Sequence, residues 1–465
     1  MLVLSHAQQR LWAFHQQEGP HAAYNIHIVL RLNGELDAPA LEYALADLLG
    51  RHEALRTVLR DTADGPRQEV LPAGSTGLVL TPLPCAAGRF EDLLKDGTAL
   101  DPALAEALDR PFALEGELLV RAWLVRLAAD EHALVLVMHH VVNDGWSTGP
   151  LLRDLQEAYN ARAAGGAPEW EPLPVQYADY TLWQRELLGD ENHPRSLAGR
   201  QLAYWRQTLE GLPEELALPY DRPRPAVPTY LARGLAFKIA DGTYTALLDL
   251  ARHSRASLSM VLQAAVAALL RGRGAGSDIP IGTPISGRTD EALDELVGYF
   301  INYLVLRVDA SDDPTFRDLV ERVRDTCLAA YDHQELPLER VAEHLAPART
   351  RGRHPLYQTV VKFHSGDELR LPVRLTGLSC VRESVAASTL RSDLAWDFVE
   401  VAGQAGKGAV GGSLTAQLTY ATDLFDQQTA EGLRDGLTRL LDTVVAAPDT
   451  LLRHLHTYTE PRGNR

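Results

Sequence analysis

The 465-residue chain carries a formal net charge of −17, and 46% of its residues are hydrophobic while 23% are charged. This length predicts two lobes or domains. The balance of apolar and charged residues is typical of a folded globular protein and excludes a disordered one. The acidic charge argues against a nucleic-acid partner, because binding to a phosphate backbone needs a basic face.

The three cysteines, Cys85, Cys327 and Cys380, are widely spaced and match no zinc or CxxC pattern. We expect them to be small buried side chains in a reducing compartment. The N-terminus lacks the basic and apolar stretches of a signal peptide, and no run of about eighteen apolar residues could span a membrane. The sequence therefore predicts a cytoplasmic protein without a membrane partner.

The first part of the chain alternates helix and strand patterns. Apolar residues recur at helical spacing in 39–52, and Asp37 is suited to cap that helix. Residues 118–127 and 132–142 predict an antiparallel hairpin. A turn at NDGW follows, and Ser147 or Thr148 is suited to cap the next helix. The stretch MHHVVNDGWS (138–147) is therefore expected where a strand ends and a helix begins.

A Gly- and Pro-rich segment at 163–174 predicts a linker. We therefore expect an N-terminal lobe of residues 1–165, a linker of residues 166–176 and a C-terminal lobe of residues 177–465.

Within the second lobe, Trp183 and Trp205 are expected to anchor helices in the core. An apolar helix is expected at 259–274, and a strand that runs into a loop at 278–290. The segment 297–309 is continuously apolar and predicts a central strand.

The adjacent histidines of MHHVVNDGWS point to opposite faces of the predicted strand, and both faces are apolar. They are therefore expected to be buried and to have different roles. One interpretation is two structural histidines before a turn-forming Asp-Gly pair. A metal site is disfavoured, because adjacent strand histidines cannot both reach one ion and no further His or Cys ligand is near in sequence.

The third interpretation is an acid–base site, with one histidine at the end of a strand. A buried Asp144 would then need a cationic partner, and Arg51 and Arg56 are candidates. Gly145 would let a substrate approach the backbone closely. The sequence contains no GxSxG and no Cys-His pattern, so it does not indicate a covalent enzyme intermediate.

The segment HHVVNDG resembles the HHxxxDG signature of condensation domains of nonribosomal peptide synthetases, which are similar to chloramphenicol acetyltransferase. Further segments resemble other motifs of this family in the same order, and together they span nearly the whole chain: SHAQQRLW (5–12), RHEALRTV (51–58), YADYTLWQ (177–184), VGYFINYL (297–304), HQELPLE (333–339) and HPLYQ (354–358). On these motifs the chain is identified as a member of the family.

The resemblance implies an α/β fold of two acetyltransferase-like lobes in a V-shaped pseudodimer. Mixed sheets would be flanked by helices, a tunnel would lie at the lobe interface, and segments near 280–290 and 375–405 would cross between lobes. The implied reaction is peptide-bond formation, in which the amine of a downstream carrier-bound aminoacyl thioester attacks an upstream carrier-bound thioester.

No intrinsic cofactor is implied, because the substrates hang from 4′-phosphopantetheine arms on the two partner carrier domains. Adenylation or epimerisation domains would be adjacent.

By motif, the resemblance makes His140 the base toward the amine, or the group that positions the amine and stabilises the tetrahedral intermediate. His139 would pack behind it. Asp144 would pair with an arginine, expected to be Arg56, and would shape the site. Gly145 would keep the tunnel open and offer its N–H to the oxyanion.

The resemblance also implies that four residues line the substrate tunnel: Trp146, Ser286, Asn302 and Tyr303. Tyr303 stands where the family commonly has a small residue such as Thr, and Leu338 where Phe is common. Tyr303 would either narrow or polarise the pocket, or pack in the core.

The segments 189–205, 211–219 and 276–300 resemble domains that accept a donor with a D-configured terminal residue. Alternative functions are an epimerase of the same superfamily, a coenzyme A-dependent acyltransferase, and a catalytically silent platform that recruits other enzymes to carriers. An intact HHxxxDG motif disfavours the platform, and a heterocyclase would carry an aspartate-based motif instead.

Overall fold

The computed structural model describes the whole chain except residues 86–87, 94–99, 346–351, 367–372, 384, 386–387, 402–411 and 460–465. It forms two compact units. Unit 1 comprises Met1–Gly189, Ser286–Ile301 and Glu368–Ala386, and unit 2 comprises Asp190–Ile285, Asn302–Asp367 and Ala387–Arg465. The chain therefore leaves unit 1 and re-enters it twice.

Helices and strands are interspersed along the chain in both units. The helices are α1 (His6–Glu18), α2 (Ala38–Arg51), α3 (Phe90–Leu93), α4 (Pro102–Asp109), α5 (Thr148–Ala163), α6 (Tyr177–Leu188), α7 (Leu197–Thr208), α8 (Asp241–His253), α9 (Leu258–Gly272), α10 (Phe316–Tyr331), α11 (Leu338–Leu345), α12 (Gln427–Ala446) and α13 (Leu452–Thr459). The strands are β1 (Leu2–Val3), β2 (Asn25–Gly34), β3 (Thr57–Arg60), β4 (Arg67–Val70), β5 (Leu80–Pro82), β6 (Val120–Arg126), β7 (Glu131–His139), β8 (Ala232–Ile239), β9 (Asp278–Ile285), β10 (Asn302–Asp309), β11 (Thr359–Ser365), β12 (Leu378–Glu383), β13 (Leu394–Val401) and β14 (Ser413–Ala421). Single turns of 3₁₀ helix lie at Ala22–Tyr24, Glu53–Arg56, His140–Val142 and Glu291–Leu293.

Unit 1 is built on a five-stranded sheet in the order β12-β2-β7-β6-β5, with a small sheet β1-β4-β3 beside it. Strands β6 and β7 pair antiparallel, with Val120 opposite Met138, so the predicted hairpin is confirmed. All residues of β7 after Glu131 are buried, as expected for a strand covered on both faces. The predicted helix at 39–52 is α2, and the side chain of Asp37 caps it by accepting the N–H of Ala40 at 2.9 Å.

Unit 2 is built on a six-stranded sheet in the order β10-β9-β11-β13-β14-β8, in which β11 pairs parallel with β9 and β13. The predicted apolar helix is α9, whose residues from Met260 to Leu270 are all buried. The predicted strand at 278–290 is β9. The mixed α/β fold, with mixed sheets and flanking helices, is confirmed.

The prediction of a central strand at 297–309 is wrong in two respects. Only Asn302–Asp309 is a strand, and it lies at the edge of its sheet. Residues 297–301 belong to unit 1, where Val297, Tyr299 and Phe300 are part of the hydrophobic core. Their apolar character therefore reflects burial in the core and not a strand position.

The predicted linker at 166–176 does not separate the two units, because the boundary falls at Gly189. Helix α6 belongs to unit 1, since the hydroxyl of Tyr177 contacts the Ser5 hydroxyl at 2.9 Å and donates to the Tyr299 carbonyl at 2.7 Å. The first predicted crossing, near 280–290, coincides with the entry into unit 1 at Ser286. Part of the second, near 375–405, lies outside the described residues.

Of the two tryptophans predicted as core anchors, only Trp205 is buried, at 1% exposure, and its indole N–H donates to the His333 carbonyl at 2.9 Å. Trp183 is 39% exposed, so its assignment to the core was wrong. None of the described helices is both long and apolar enough to span a bilayer.

Candidate active site at the HHVVNDG turn

The turn begins where β7 ends at His139 and continues as the single 3₁₀ turn His140–Val142, before α5 begins at Thr148. Val141 and Val142 are buried at 0% and 1% exposure and anchor the turn in the unit 1 core. The side-chain amide of Asn143 is also fully buried, and neither its oxygen nor its nitrogen has a hydrogen-bond partner among the described residues. A buried unpaired amide is costly and more typical of functional sites than of structural turns.

His139 is buried at 4% exposure between the rings of Tyr24 and Phe112, at 5.9 and 6.2 Å. Its Nδ1 accepts the backbone N–H of Val141 at 3.1 Å. Nδ1 is therefore unprotonated, and neutral His139 carries its hydrogen on Nε2. Burial, together with the smaller effects of the nearby His140 and His15, lowers the pKa of His139 to about 3.

His140 is partly exposed and has the opposite tautomer. Its Nδ1 lies 2.8 Å from the carbonyl oxygen of Asn143, and because a carbonyl only accepts, Nδ1 must carry the hydrogen. The lone pair of the neutral ring is then on Nε2. Burial lowers the pKa of His140, although the negative charge of Asp144 and the hydrogen bond to Asn143 oppose this effect. Neutral His140 can therefore accept a proton or hydrogen bond at Nε2.

Asp144 is completely buried, and both carboxylate oxygens accept several hydrogen bonds. Oδ1 accepts the N–H and the hydroxyl of Ser147, each at 2.8 Å. Oδ2 accepts the backbone N–H groups of Phe300 and Ile301 at 2.9 and 3.2 Å. The guanidinium of Arg288 lies 3.2 and 3.3 Å from the two oxygens. With these contacts Asp144 holds structure together and has no free position from which to move a proton.

The predicted pairing of Asp144 with Arg56 is wrong. The partner is Arg288, whose side chain is only 5% exposed and lies 4.2 Å from the centre of the Phe300 ring. Arg56 instead donates to Glu53 at 3.1 Å and to the Leu71 carbonyl. Arg56 is the last residue of the 3₁₀ turn Glu53–Arg56, and its guanidinium bonds to that turn and to Leu71 and not to the HHVVNDG turn.

The other arginine considered from the sequence, Arg51, pairs with Asp154 on α5 at 2.8 Å. Asp154 also accepts Nε2 of His52 at 2.8 Å. The RHEALRTV motif therefore anchors α5 through a second buried carboxylate.

Gly145 is exposed, and a Cβ added to it would meet no atom within 4 Å. Its backbone N–H donates no backbone hydrogen bond within the described part of the chain. None of the described atoms around Gly145 therefore requires a glycine at this position. Trp146 beside it is partly exposed.

Ser286 starts the segment that carries Arg288, and its hydroxyl accepts the backbone N–H of Arg288 at 3.3 Å. Between them, Gly287 has a φ of +67°, and a Cβ there would lie 2.0 Å from the Phe300 carbonyl oxygen. Only glycine fits this turn, which directs Arg288 toward Asp144.

Asn302 and Tyr303 belong to unit 2. The amide nitrogen of Asn302 donates to the carbonyls of Gln334 and Leu336 at 2.9 and 3.1 Å, and its oxygen accepts the N–H of Leu338 at 3.0 Å. Asn302 therefore fixes the loop before α11. Tyr303 is partly exposed and its ring is stacked 6.3 Å from the ring of Tyr357.

The sequence interpretation missed three residues of this site, namely Ser147, Arg288 and Tyr299. Ser147 or Thr148 was expected to cap α5; Ser147 occupies the cap position, but its side chain makes no cap hydrogen bond and contacts Asp144, Gly298 and Arg288 instead. Arg288 and Tyr299 lie inside segments that resemble family motifs. This was the sequence signal that could have identified them as site residues. Among the described residues, no group of three or more His, Cys, Asp or Glu side chains could hold a metal ion.

Comparisons with known proteins agree on one family. The family model described as "Condensation domain" matches residues 1–462. The chain is 46% identical over 96% of its length to a probable non-canonical nonribosomal peptide synthetase, CymA, of Salinispora arenicola, and 45% identical over 98% of its length to a dimodular nonribosomal peptide synthase of Bacillus subtilis. It spans only 6% and 18% of these two relatives.

Solved structures of this family share the fold. The X-domain in its complex with OxyB from teicoplanin biosynthesis is 33% identical, with a TM-score of 0.87 that covers 98% of this chain and 95% of that one. The first condensation domain of the calcium-dependent antibiotic synthetase is 20% identical, with a TM-score of 0.74 over 97% of this chain and 98% of that one, which is a likeness of fold alone. This chain belongs to the condensation-domain family.

Proposed function

We propose that this domain forms a peptide bond between two carrier-bound substrates, with His140 as the catalytic residue. Condensation domains of nonribosomal peptide synthetases catalyse amide-bond formation. The donor is a peptidyl or aminoacyl thioester on an upstream carrier domain, and the acceptor is the free amine of an aminoacyl thioester on a downstream carrier. Both substrates are held on 4′-phosphopantetheine arms of the carriers.

The observation that carries the proposal is the pair of opposite tautomers at His139 and His140. The Nδ1 of His139 is an acceptor used by the backbone, whereas the Nδ1–H of His140 donates to Asn143. Of the two histidines, only His140 has its lone pair on Nε2, and unlike the buried His139 it is only partly buried as a residue. Its lowered pKa keeps the ring neutral at pH 7, which is the state that accepts a proton.

In the proposed reaction the amine nitrogen attacks the thioester carbonyl carbon and a C–N bond forms. Nε2 of His140 accepts a proton from that nitrogen as the tetrahedral intermediate develops. The C–S bond then breaks, and the proton passes from His140 to the departing sulfur. A free α-amine has a pKa near 8, so a minority of it is already nucleophilic at neutral pH, and His140 contributes mainly by orienting the amine and removing its proton.

Other parts of the proposal rest on the family resemblance. Gly145 offers its N–H to the oxyanion, and the donor carries a D-configured terminal residue. Trp146, Ser286 and Tyr303 contact the substrates. Adenylation or epimerisation domains are neighbours in the longer protein, and the reaction takes place in the cytoplasm.

The test is a two-carrier assay read by intact-protein mass spectrometry. A donor carrier loaded with a dipeptidyl thioester, in L- and D-terminal forms, is mixed with an aminoacyl acceptor carrier and this domain. We expect the peptide mass to move onto the acceptor carrier, with the D-terminal donor preferred. His140→Ala should reduce transfer by about 10²–10⁴-fold, the usual contribution of a general base, with unchanged thermal unfolding.

The matched control is His253→Ala, because His253 is an exposed histidine at the end of α8 in unit 2. It should transfer peptide at the rate of the unsubstituted domain. Full activity in His140→Ala would overturn the catalytic assignment. If the domain binds the carriers but transfers no peptide, a recruitment platform is favoured. If it transfers acyl groups from coenzyme A thioesters alone, a stand-alone acyltransferase is favoured.

A further inference from the structure

We propose that Tyr299 is the positioning residue through which the buried Asp144 cluster orients the imidazole of His140. The inference deepens the function proposed above and rests on it. Asp144 itself makes hydrogen bonds to Ser147, Arg288, Phe300 and Ile301, and none of these is to His140. The charge of Asp144 acts on the pKa of His140 through space, but any influence on the orientation of the ring must pass through another residue.

The backbone just before and at Tyr299 is held by side chains of unit 1. The hydroxyl of Ser147 lies 3.0 Å from the carbonyl of Gly298 and accepts the Gly298 N–H at 3.1 Å. The Tyr299 carbonyl accepts the hydroxyl of Tyr177 at 2.7 Å. The hydroxyl of Ser5 lies 2.9 Å from that of Tyr177, so the buried tyrosine is itself fixed.

The backbone just after Tyr299 is held by Asp144, whose Oδ2 accepts the N–H groups of Phe300 and Ile301. A Cβ at Gly298 would lie 2.2 Å from the Tyr177 ring, so the close approach of α6 also depends on glycine at this position. Peptide groups on both sides of Tyr299 are therefore fixed, and the Cα–Cβ bond of Tyr299 has a defined direction.

The side chain of Tyr299 lies against His140. Tyr299 is 4% exposed, and the centres of the two rings are 4.9 Å apart with 61° between their planes, which is an edge-to-face contact. A second contact constrains the same ring, because Nδ1 of His140 is held by the Asn143 carbonyl. These two contacts together restrict rotation of the imidazole and hence the direction in which Nε2 points.

The charged and titratable groups that act on His140 are Asp144, which raises its pKa, and Arg10, which lowers it, while His139 is an adjacent titratable ring. Loss of the Tyr299 ring leaves the side chains of Asp144, Arg10 and His139 in place and changes the packing and hydration of His140. Water admitted beside the imidazole should raise the pKa of His140 toward its ordinary value of about 6.5.

The experiment compares Tyr299→Leu with Tyr177→Phe, which keeps every ring and removes the hydrogen bond to the Tyr299 carbonyl together with the contact to the Ser5 hydroxyl. Tyr180→Phe is the matched control, since Tyr180 packs on Tyr177 and Phe300 but its hydroxyl bonds to Gln184. Each variant is followed by NMR titration of ¹³C-labelled histidine, with His140→Gln to assign the signal. The pH profile of peptide transfer and the separate kcat and KM values are measured alongside.

Tyr299→Leu should raise the pKa of His140 and reduce kcat about 10- to 100-fold, with a smaller change in KM, because a misdirected base costs rate more than binding. Tyr177→Phe should also raise the pKa of His140 and reduce kcat, but by less than Tyr299→Leu. If Tyr299→Leu does not fold, the result for Tyr177→Phe tests the positioning role of Tyr299. Tyr180→Phe should match the unsubstituted domain.

Unchanged titration of His140 in both Tyr299→Leu and Tyr177→Phe would overturn the inference, even if kcat fell, since the residues would then be merely structural. The titration needs no substrate and separates this inference from the proposed function. Absence of transfer in every protein, with a shifted titration in Tyr299→Leu, would contradict the proposed function and leave the positioning role standing.

Discussion

Two buried aspartates hold the same helix, α5, and they do so differently. Asp154, within the helix, accepts hydrogen bonds from Arg51 and His52, which are adjacent residues at the end of α2. Asp144, before the helix, accepts from Arg288 and from the backbone at Phe300 and beyond. The first carboxylate ties two neighbouring helices together. The second organises a segment that comes from far along the chain.

The difference explains why only one of the two clusters bears on His140, the proposed catalytic residue. The partners of Asp154 are side chains alone, and Nδ1 of His52 is buried without a hydrogen-bond partner among the described residues. The partners of Asp144 include consecutive backbone N–H groups, and so it fixes the path of the chain at Tyr299. The Asp154 cluster therefore supports the fold, whereas the Asp144 cluster supports the geometry of the site.

The largest effect is expected from replacing the two aspartates. Asp144→Ala should lower the free energy of unfolding by about 3–5 kcal/mol, because it leaves the buried Arg288 guanidinium unpaired, and it should also abolish transfer. Asp154→Ala should cost about 1–3 kcal/mol, since Arg51 keeps the Glu171 carbonyl and its contact with Trp170, and transfer should persist. Urea unfolding measures the stability of each variant, and the two-carrier assay measures its peptide transfer. If Asp144→Ala and Asp154→Ala both fold and lose peptide transfer equally, the two clusters do not differ in their effect on the site.

Acid should weaken both regions at once. Burial lowers the pKa of His139 to about 3 and also lowers the pKa of His52, although Asp154 opposes the latter effect. Below pH 6.5 the unfolded chain binds protons at these residues more readily than the folded chain does. The free energy of unfolding should therefore fall as the pH drops, by at most about 1.4 kcal/mol per unit for each such histidine.

Urea midpoints at pH 7.5, 6 and 5 measure this loss, and His52→Gln should reduce the slope. The pKa of Asp154 is also lowered, but that contribution to stability is lost only below the ordinary range of an aspartate and lies outside this window. A midpoint that stays constant down to pH 5 would contradict the neutral, buried state of His139.

The smallest effect is expected at Arg56. Arg56→Met should cost at most about 1 kcal/mol, because its charged partner Glu53 has a side chain that is 30% exposed. Arg288→Met should approach the cost of Asp144→Ala, since it leaves a completely buried carboxylate unpaired. A larger loss of stability at Arg56 than at Arg288 in thermal unfolding would reverse the assignment of the ion pair.

Local patterns in the sequence predicted local structure well. The β6–β7 hairpin, helix α2 with its Asp37 cap, and the buried strand that ends in the two histidines could be recognised because periodicity and capping depend on neighbouring residues. The motif HHVVNDG also located the turn itself. The tautomers of His139 and His140 could not be predicted, because they depend on where the Asn143 carbonyl and the Val141 N–H point.

Contacts between residues far apart in the chain could not be predicted from the sequence. Arg56 and Arg288 are equally charged, and only the tertiary path of the chain decides which one reaches Asp144. The apolar run around Phe300 had the composition of a central strand, but tertiary packing buries it in unit 1 as an irregular segment. The hydroxyl of Ser147 likewise contacts the distant residues Gly298 and Arg288, and Asp144 three residues before it, instead of capping the helix next to it.

The re-entry of the chain into unit 1 has a consequence for biosynthesis. Arg288 follows Asp144 by 144 residues, so at about 5–20 residues per second a ribosome adds it roughly 7–30 s later. During that interval the nascent unit 1 holds a carboxylate without its cation and a core without Phe300. Strand β12, which completes the edge of the unit 1 sheet beside β2, is added later still. Unit 1 therefore cannot mature in the order in which most of its residues are translated, and its HHVVNDG turn acquires its final geometry only after much of unit 2 has been made.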